Sequence, residues 1–184
     1  FADTVVTRAL GGRDGVRAAQ IAGPGGPKTI DCDLLVMSGG WNPTLHLTSH
    51  LGHKPVWNEQ ISAFVPDTLP EGMSVAGAAR GTFTLAGAFA EGAAAGRAAA
   101  EYAGFGGASP DIPRIPAEAG AMTPLWRVRG AKGKSFIDFQ NDVTDKDVEL
   151  AEREGFRAIE LMKRYTTLGM ATDQGKTSNV NGLA

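Results

Sequence analysis

The stretch from 73 to 101 constrains the fold of this chain more than any other, because most of its side chains are those of alanine and glycine. It predicts a buried strand over 73–76, a tight turn over 77–81 and a long helix over 83–103. Glycine costs a helix roughly 1 kcal/mol per position relative to alanine. The helix nevertheless contains three glycines, Gly87, Gly92 and Gly96. We infer that something packs closely against it, either a sheet or a flat ligand.

A dinucleotide is one such ligand, because a helix N-terminus that follows a strand and a glycine-rich turn can hold a pyrophosphate through backbone N–H groups and the helix dipole. Packing of the helix on a sheet explains the same small residues without any ligand. The stretch by itself leaves both interpretations open.

Composition excludes several classes of function. The chain has 184 residues, room for one or two domains, and a formal net charge of −2, so it offers no basic surface for nucleic acid or an anionic membrane. No apolar run approaches the roughly 20 residues that a membrane span needs. Cys32 is the single cysteine, which excludes an internal disulfide and predicts a reducing compartment, the cytoplasm.

Both termini predict a piece of a longer polypeptide. The chain opens at Phe1 directly in a strand pattern without a methionine, and it stops at Ala184 without a terminating element. Any site that it carries is therefore expected to be incomplete.

Three runs with β character, 4–10, 15–22 and 29–37, are separated by glycine-rich turns and predict a small antiparallel meander. The third run ends in Asp33-Leu-Leu-Val-Met37, a continuous apolar stretch typical of strands buried on both faces of a parallel sheet.

Three histidines follow at spacings of four and three, His46, His50 and His53. On a helix the first two would share a face and could ligate zinc. The segment has no carboxylate or thiol at ligand spacing, and Pro43 and Gly52 leave room for little more than two turns. We therefore predict no metal site.

The composition changes abruptly after the long helix. Residues 105–134 are rich in glycine and proline and predict an extended linker. The last fifty residues predict two helices, one starting at Thr144 and ending at Gly155, the other over 156–164. The polar loop 166–179 that follows could bind phosphate or could be a solvated turn.

Several motifs resemble known families. Asp33-Leu-Leu-Val-Met-Ser-Gly-Gly-Trp-Asn-Pro43 and Val75-Ala-Gly-Ala78 resemble the closing segments of flavoprotein disulfide-reductase-like domains. Two further blocks, Phe136-Ile-Asp-Phe-Gln-Asn-Asp-Val-Thr144 and the residues from Leu161 to Gly182, are similar to the alpha subunit of heterotetrameric sarcosine oxidase. This second resemblance covers nearly the whole chain.

The resemblance implies an α/β fold followed by a small all-α domain. Residues 1–104 would be the C-terminal part of a dinucleotide-binding domain of the flavoprotein disulfide-reductase-like type, 105–134 the linker, and 135–184 the helical domain. The last also resembles bacterioferritin-associated ferredoxin, but its four cysteines are replaced here by Asp138, Gln140, Asp173 and Ser178. Because cluster ligation needs thiolates, we expect no iron–sulfur cluster.

Relatives that bind FAD follow the Ala-Gly pair with an aspartate, whereas this chain has Ala78. The resemblance implies bound NAD instead. The positions expected to line it are Ala78, Phe83 and Leu85, with Gly77 and Ala79 as close backbone neighbours. The Gly-x-Gly-x-x-Gly motif that would bind the phosphates is expected upstream of Phe1.

The implied reaction is the oxidative demethylation of sarcosine to glycine, with hydrogen peroxide and 5,10-methylenetetrahydrofolate formed. FAD and covalent FMN are expected mainly on the beta subunit, with gamma and delta subunits as further partners and the tetrahydrofolate domain beyond this chain. We expect no catalytic residue here. Lys176, Thr177 and Ser178, with Gln174 beside them, are candidates to face the FMN phosphate across the subunit interface.

Two other functions fit the sequence. The chain could be a remnant of a dinucleotide fold that only docks partner subunits. It could also belong to a related dehydrogenase that uses a different secondary amine, such as an opine or proline.

Overall fold

The computed structural model describes residues 1–50, 52–108, 110–116, 118 and 123–184, and over these the fold is a small mixture of helices and strands. The strands are β1 (Val5–Gly12), β2 (Gly15–Ala22), β3 (Lys28–Asp31), β4 (Val56–Asn58), β5 (Ala63–Val65), β6 (Phe136–Asp138) and β7 (Val143–Thr144). The α-helices are α1 (Leu85–Tyr102), α2 (Asp145–Arg153), α3 (Ile159–Thr166) and α4 (Asn179–Leu183), and a 3-10 helix covers Gly77–Arg80. None of the helices described is long and apolar enough to cross a bilayer.

The chain divides into two compact units. The first consists of Phe1–Met37 and Leu125–Ala184, and the second of Ser38–Pro124. The predicted domain boundaries near 104 and 134 stay a prediction. Positions 109, 117 and 119–122 of the predicted linker lie outside the described residues.

The first unit begins with the meander that the sequence predicts. Strands β1, β2 and β3 pair antiparallel in chain order, with β2 in the centre. Ala18, Ala19 and Ile21 of this central strand are buried. Because successive strand residues alternate between faces, Ala19 and Ile21 lie on one face and Ala18 on the other, so the central strand is buried on both faces at this point.

The third strand is shorter than predicted. It ends at Asp31, and the apolar run from Asp33 to Met37 forms no ladder with any described residue. Leu34, Val36 and Met37 are between 69% and 77% exposed. A strand needs a hydrogen-bonding neighbour, and a parallel neighbour comes from a distant part of a chain. The described residues do not supply one, so the prediction of a strand through residue 37 is wrong for this structure.

Residues 135–184 form a compact region of α2, α3 and α4 together with a two-stranded ladder of β6 and β7. The sequence predicts a purely helical region here. The ladder shows that the region also contains two short strands. Val143, Ala151, Met162 and Leu168 form its buried apolar centre. Helix α2 begins after Thr144 and ends before Gly155, whose φ is +93°, which confirms both predicted limits.

In the second unit, β4 and β5 form a hairpin in which the rings of Trp57 and Phe64 meet edge to face at 5.1 Å. Residues 73–76 form no strand, against the prediction, and the Gly77–Arg80 turn follows them directly. Helix α1 is capped by Thr84 and contains no buried residue. At Gly92 and Gly96 an added Cβ would meet no described atom within 4 Å. The close partner that these glycines suggest is therefore absent from the described part of this unit.

Candidate functional site

The first candidate region is the turn between residue 76 and helix α1. Gly77 and Gly81 both have positive φ, +65° and +99°, which side chains rarely adopt. The N–H of Gly81 donates to the carbonyl oxygen of Ala78, and that of Thr82 to the carbonyl oxygen of Gly77. A Cβ at residue 81 would lie 2.8 Å from Ile61 Cδ1. The turn is thus tight and packed against its own unit.

Glu91 holds this turn against helix α1. Its Oε2 accepts a hydrogen bond of 2.9 Å from the backbone N–H of Gly77, and its Oε1 accepts one of 2.6 Å from the hydroxyl of Thr82. Ala88, one helical turn earlier, lies 3.5 Å from the place a Cβ of residue 77 would take. The sequence pattern did not single out Glu91 as a functional residue. It is the one charged residue between Arg80 and Arg97. A lone charge in an apolar helix could have marked it as a residue with a specific partner.

Two of the amides at the start of helix α1 already bind side chains of this chain. The N–H of Leu85 donates to Glu118 Oε2 at 2.5 Å, and that of Gly87 to Thr84 Oγ1 at 3.3 Å. With the N–H of Gly77 bonded to Glu91, these three donors are not free for a pyrophosphate. The helix start therefore differs from the phosphate site that its sequence allows.

The residues predicted to contact NAD lie together because they are nearly consecutive. Gly77 is buried, Ala78, Ala79 and Phe83 are half-buried, and Leu85 is exposed. Their binding role stays a prediction. The turn offers small apolar groups and backbone carbonyls, a surface that suits a ring or a ribose better than a diphosphate.

The second candidate region joins the Asp138 turn to the loop 167–179. Asp138 is 3% exposed, and its carboxylate accepts three backbone N–H groups. They belong to Gln140 at 2.8 Å, Asn141 at 3.2 Å and Gly169 at 2.8 Å. In addition, the hydroxyl of Thr172 donates to Gln140 Oε1 at 2.6 Å. The segments in which a ferredoxin-like domain would carry its cysteines therefore contact each other directly.

Asp173 organises the other end of this loop. Its carboxylate accepts from the hydroxyl of Thr177 at 2.6 Å and from the N–H groups of Thr177 and Gly175, each at 3.1 Å. These bonds lower the pKa of Asp173 below its ordinary value, and the bond from the Thr177 hydroxyl has the largest effect.

The three residues proposed to face a flavin phosphate differ in accessibility. Lys176 and Thr177 are exposed, whereas Ser178 is 1% exposed. The hydroxyl oxygen of Ser178 has no hydrogen-bond partner among the described residues. Lys176 and Thr177 can therefore meet an external anion directly, while Ser178 lies beneath them.

The loop closes around the side chain of Asn179. Gly169 and Gly175, both at positive φ, face this side chain, and a Cβ on either glycine would collide with Asn179 Oδ1. Glycine is required at both positions by backbone angle and by space.

The histidines are not arranged as a helical pair. His46 and His50 are exposed and lie in hydrogen-bonded turns, and His53 is half-buried. Within the described ranges no three His, Cys, Asp or Glu side chains are grouped so as to hold a metal ion.

Comparison with known proteins gives consistent matches. Residues 132–184 match the family model of the sarcosine oxidase A3 domain. The chain is 43% identical over 183 residues to the sarcosine oxidase subunit alpha of Rhizobium meliloti (strain 1021), covering 98% of this chain and 18% of that protein. It is 40% identical over 166 residues to the subunit alpha of Corynebacterium sp. (strain P-1), covering 86% of this chain and 17% of that protein. The chain thus spans less than a fifth of the length of these relatives.

Proposed function

We propose that this chain, a homologue over nearly its whole length of one segment of the sarcosine oxidase alpha subunit, works as that segment in an enzyme that demethylates sarcosine oxidatively to glycine. The observation that carries the proposal is the 43% identity over 98% of the chain. Formation of hydrogen peroxide and of 5,10-methylenetetrahydrofolate belongs to the complete enzyme, which would act in the cytoplasm. Beta, gamma and delta subunits would be the partners of the alpha subunit.

In this proposal the segment contributes one wall of an NAD site within a flavoprotein disulfide-reductase-like fold. Two features support such a fold. The apolar run 33–37 is exposed and unpaired in the described structure, as a parallel strand without its neighbours would be. Helix α1 exposes a surface of alanine and glycine against which a flat group can lie. The NAD contacts would come from Gly77, Ala78, Ala79, Phe83 and Leu85.

The second role proposed for the segment is at the flavin interface. Lys176 and Thr177 are exposed on a loop that Asp138 and Asp173 hold in place. An ammonium group and a hydroxyl are suitable partners for the phosphate of FMN bound mainly by the beta subunit. Ser178 would support the loop from below. FAD and tetrahydrofolate would bind elsewhere in the enzyme.

A titration of the assembled full-length enzyme with NAD tests the first role. We expect stoichiometric binding to the alpha subunit. Replacing Ala78 by Leu should weaken it, because a larger side chain would enter the space of the coenzyme; Ala100→Leu, on the distal half of α1, is the control. An enzyme that oxidises sarcosine but binds no NAD would favour the alternative in which this segment only docks other subunits.

Profiling the assembled enzyme with secondary amines tests the reaction itself. Sarcosine should be oxidised with the highest kcat/KM, and peroxide should appear in equal amount. Preferential oxidation of proline or of an opine would instead assign the chain to a related dehydrogenase.

The flavin role is tested by replacing Lys176 with Ala in the full complex. Loss of the ammonium group should lower the FMN content of the purified complex, as measured by flavin absorbance after denaturation and removal of free flavin. Lys146→Ala, an exposed lysine of helix α2, is the matched control. Unchanged FMN retention in the Lys176 variant would remove this role.

A further inference from the structure

Glu91 stands apart from the rest of helix α1. The helix is otherwise a surface of alanine, glycine and a few apolar side chains as far as Arg97, and Glu91 is half-buried in it. A carboxylate in such a setting loses hydration and needs partners. Glu91 finds two in the preceding turn, the N–H of Gly77 and the hydroxyl of Thr82.

The two bonds fix the turn in a particular shape. One carboxylate oxygen binds the first residue of the turn and the other binds the residue just after it, so the group spans the turn from end to end. Hydrogen bonds to an ionised acceptor are stronger than neutral ones. The first residue, Gly77, is buried at a φ of +65°. The carboxylate therefore sets the position of Ala78 and Ala79 relative to helix α1.

The same bonds determine which part of a coenzyme the turn can receive. Because the N–H of Gly77 points to Glu91 and that of Leu85 to Glu118, an anion at this place would meet two carboxylates and no free donor from these amides. Like charges so close repel an anionic ligand. An uncharged group, a ring or a ribose, meets no such penalty.

We propose that Glu91 is a positioning residue of the coenzyme site: it locks the turn Gly77–Gly81 onto helix α1 and makes it a wall for an uncharged part of a dinucleotide. The inference rests on the NAD binding proposed above. Glu91 itself is held away from the coenzyme by its bonds to the turn, and acts through Gly77, Ala78 and Ala79.

The test compares Glu91→Ala with Glu91→Gln in the assembled full-length enzyme. Glutamine can accept from the Gly77 N–H through its oxygen and donate to Thr82 Oγ1 through its nitrogen, so it keeps both contacts. Glu91→Ala should raise the Kd for NAD roughly tenfold, because a displaced contact surface costs about this much or more. Glu91→Gln should stay within about twofold of wild type. Glu101→Ala, an exposed glutamate of the same helix, is the control.

Amide hydrogen exchange of residues 74–84, measured without NAD, provides a readout that does not depend on the coenzyme. Glu91→Ala should speed exchange there, and Glu91→Gln should restore it. Thr82→Val removes one of the two bonds and should weaken NAD binding less than Glu91→Ala does. Combined with Glu91→Ala it should add little, because both changes break the same interaction.

Three results would overturn the inference. The first is a Glu91→Ala enzyme with faster exchange but unchanged NAD affinity, since the residue would then be structural only. The second is a Glu91→Gln enzyme as impaired as the alanine variant. The third is a wild-type enzyme that binds no NAD. This result would remove the proposed NAD binding itself, whatever the exchange rates. It is therefore distinct from the first two results, in which wild type binds NAD and only the role of Glu91 fails.

Discussion

Gly169 and Gly175 show how single residues determine the loop that follows helix α3. Both have positive φ, and both leave space for Asn179. Any larger residue at either position would have to strain the backbone and displace that side chain. The loop 167–179 therefore depends on these two glycines in a way that its polar composition does not reveal.

Replacing Gly175 with Ala should destabilise the region 135–184 more than replacing Gly155 with Ala. At residue 155 the φ is also positive, but an added Cβ meets no described atom within 4 Å, so only the backbone strain of about 1–3 kcal/mol applies. At residue 175 the clash with Asn179 adds to it. The loss of stability in each variant is measured as the local unfolding free energy from amide exchange in α3. Equal effects of the two substitutions would contradict this account of the loop.

Asp147 makes a pH-dependent contribution to the stability of the folded state at the start of helix α2. Its Oδ2 accepts from the hydroxyl of Thr144 at 2.7 Å and from the N–H of the same residue at 2.8 Å. Both bonds lower the pKa of Asp147 below its ordinary value of 3.8, and the bond from the hydroxyl has the larger effect. The unfolded chain therefore takes up the proton more readily than the folded one.

It follows that the stabilisation by Asp147 is fully present above pH 3.8 and is lost as the pH falls through the lower pKa of the folded state. The ratio of amide protection in α2 between wild type and Asp147→Asn, measured at each pH, should be largest near neutrality and approach one in strong acid. A ratio that does not change with pH would show that the charge of Asp147 contributes nothing.

At the scale of elements, Asp138 joins β6 to the loop after α3. One carboxylate accepts three backbone N–H groups, and the donor from Gly169 lies 31 positions along the chain. Because the bond to Gly169 is buried, its loss leaves a buried donor without a partner, which typically costs about 1–3 kcal/mol.

Asp138→Ala should therefore destabilise the region 135–184 by at least about 1–3 kcal/mol, more than Asp142→Ala at the exposed end of the same turn. Asp138→Asn keeps an acceptor oxygen and should be less harmful. Exchange of the Gly169 amide reports directly on the bond. An Asp138→Ala protein in which this amide stays protected would show that other contacts hold the two segments together.

Elements whose limits are set by residues at their own ends could be predicted from the sequence. Thr144 and Gly155 delimit helix α2, and glycine-rich turns delimit β1 and β2. The strands predicted at 33–37 and 73–76 fail because a strand is defined by its neighbour, and the neighbour is not among the described residues. The candidate NAD residues are adjacent in sequence, so their grouping was predictable. The hydrogen bonds from Glu91 to the turn and from Glu118 to the start of helix α1 were not predictable, since they depend on how distant residues fold together.

At the scale of the whole molecule, the chain is less than a fifth of the length of its relatives. Among the described residues, large apolar side chains of both units are exposed, including Leu34, Val36 and Met37. Such surfaces on a folded protein usually contact something. The proposed dinucleotide-binding fold accounts for this run if neighbouring strands come from the rest of the subunit.

Amide exchange of residues 33–37 tests that explanation. In the 184-residue chain expressed alone these amides should exchange fast, and in the full-length subunit they should be protected by at least about a hundredfold, as expected for paired strands. Residues 18–21 of the central strand β2, which are paired in this structure, should be protected in both. Fast exchange at 33–37 in the full-length subunit would contradict the proposed parallel sheet.

The bonds from Asp138 to Gly169 and from Gln140 to Thr172 also bear on how the subunit matures. They are made by atoms of the polypeptide, so the two segments can come together as soon as both have left the ribosome. In a ferredoxin-like domain that is closed by an iron–sulfur cluster, the same step waits for delivery of iron and sulfide. Because the sequence predicts no such cluster here, we expect that the supply of iron in the cell does not change how fast this part of the subunit folds.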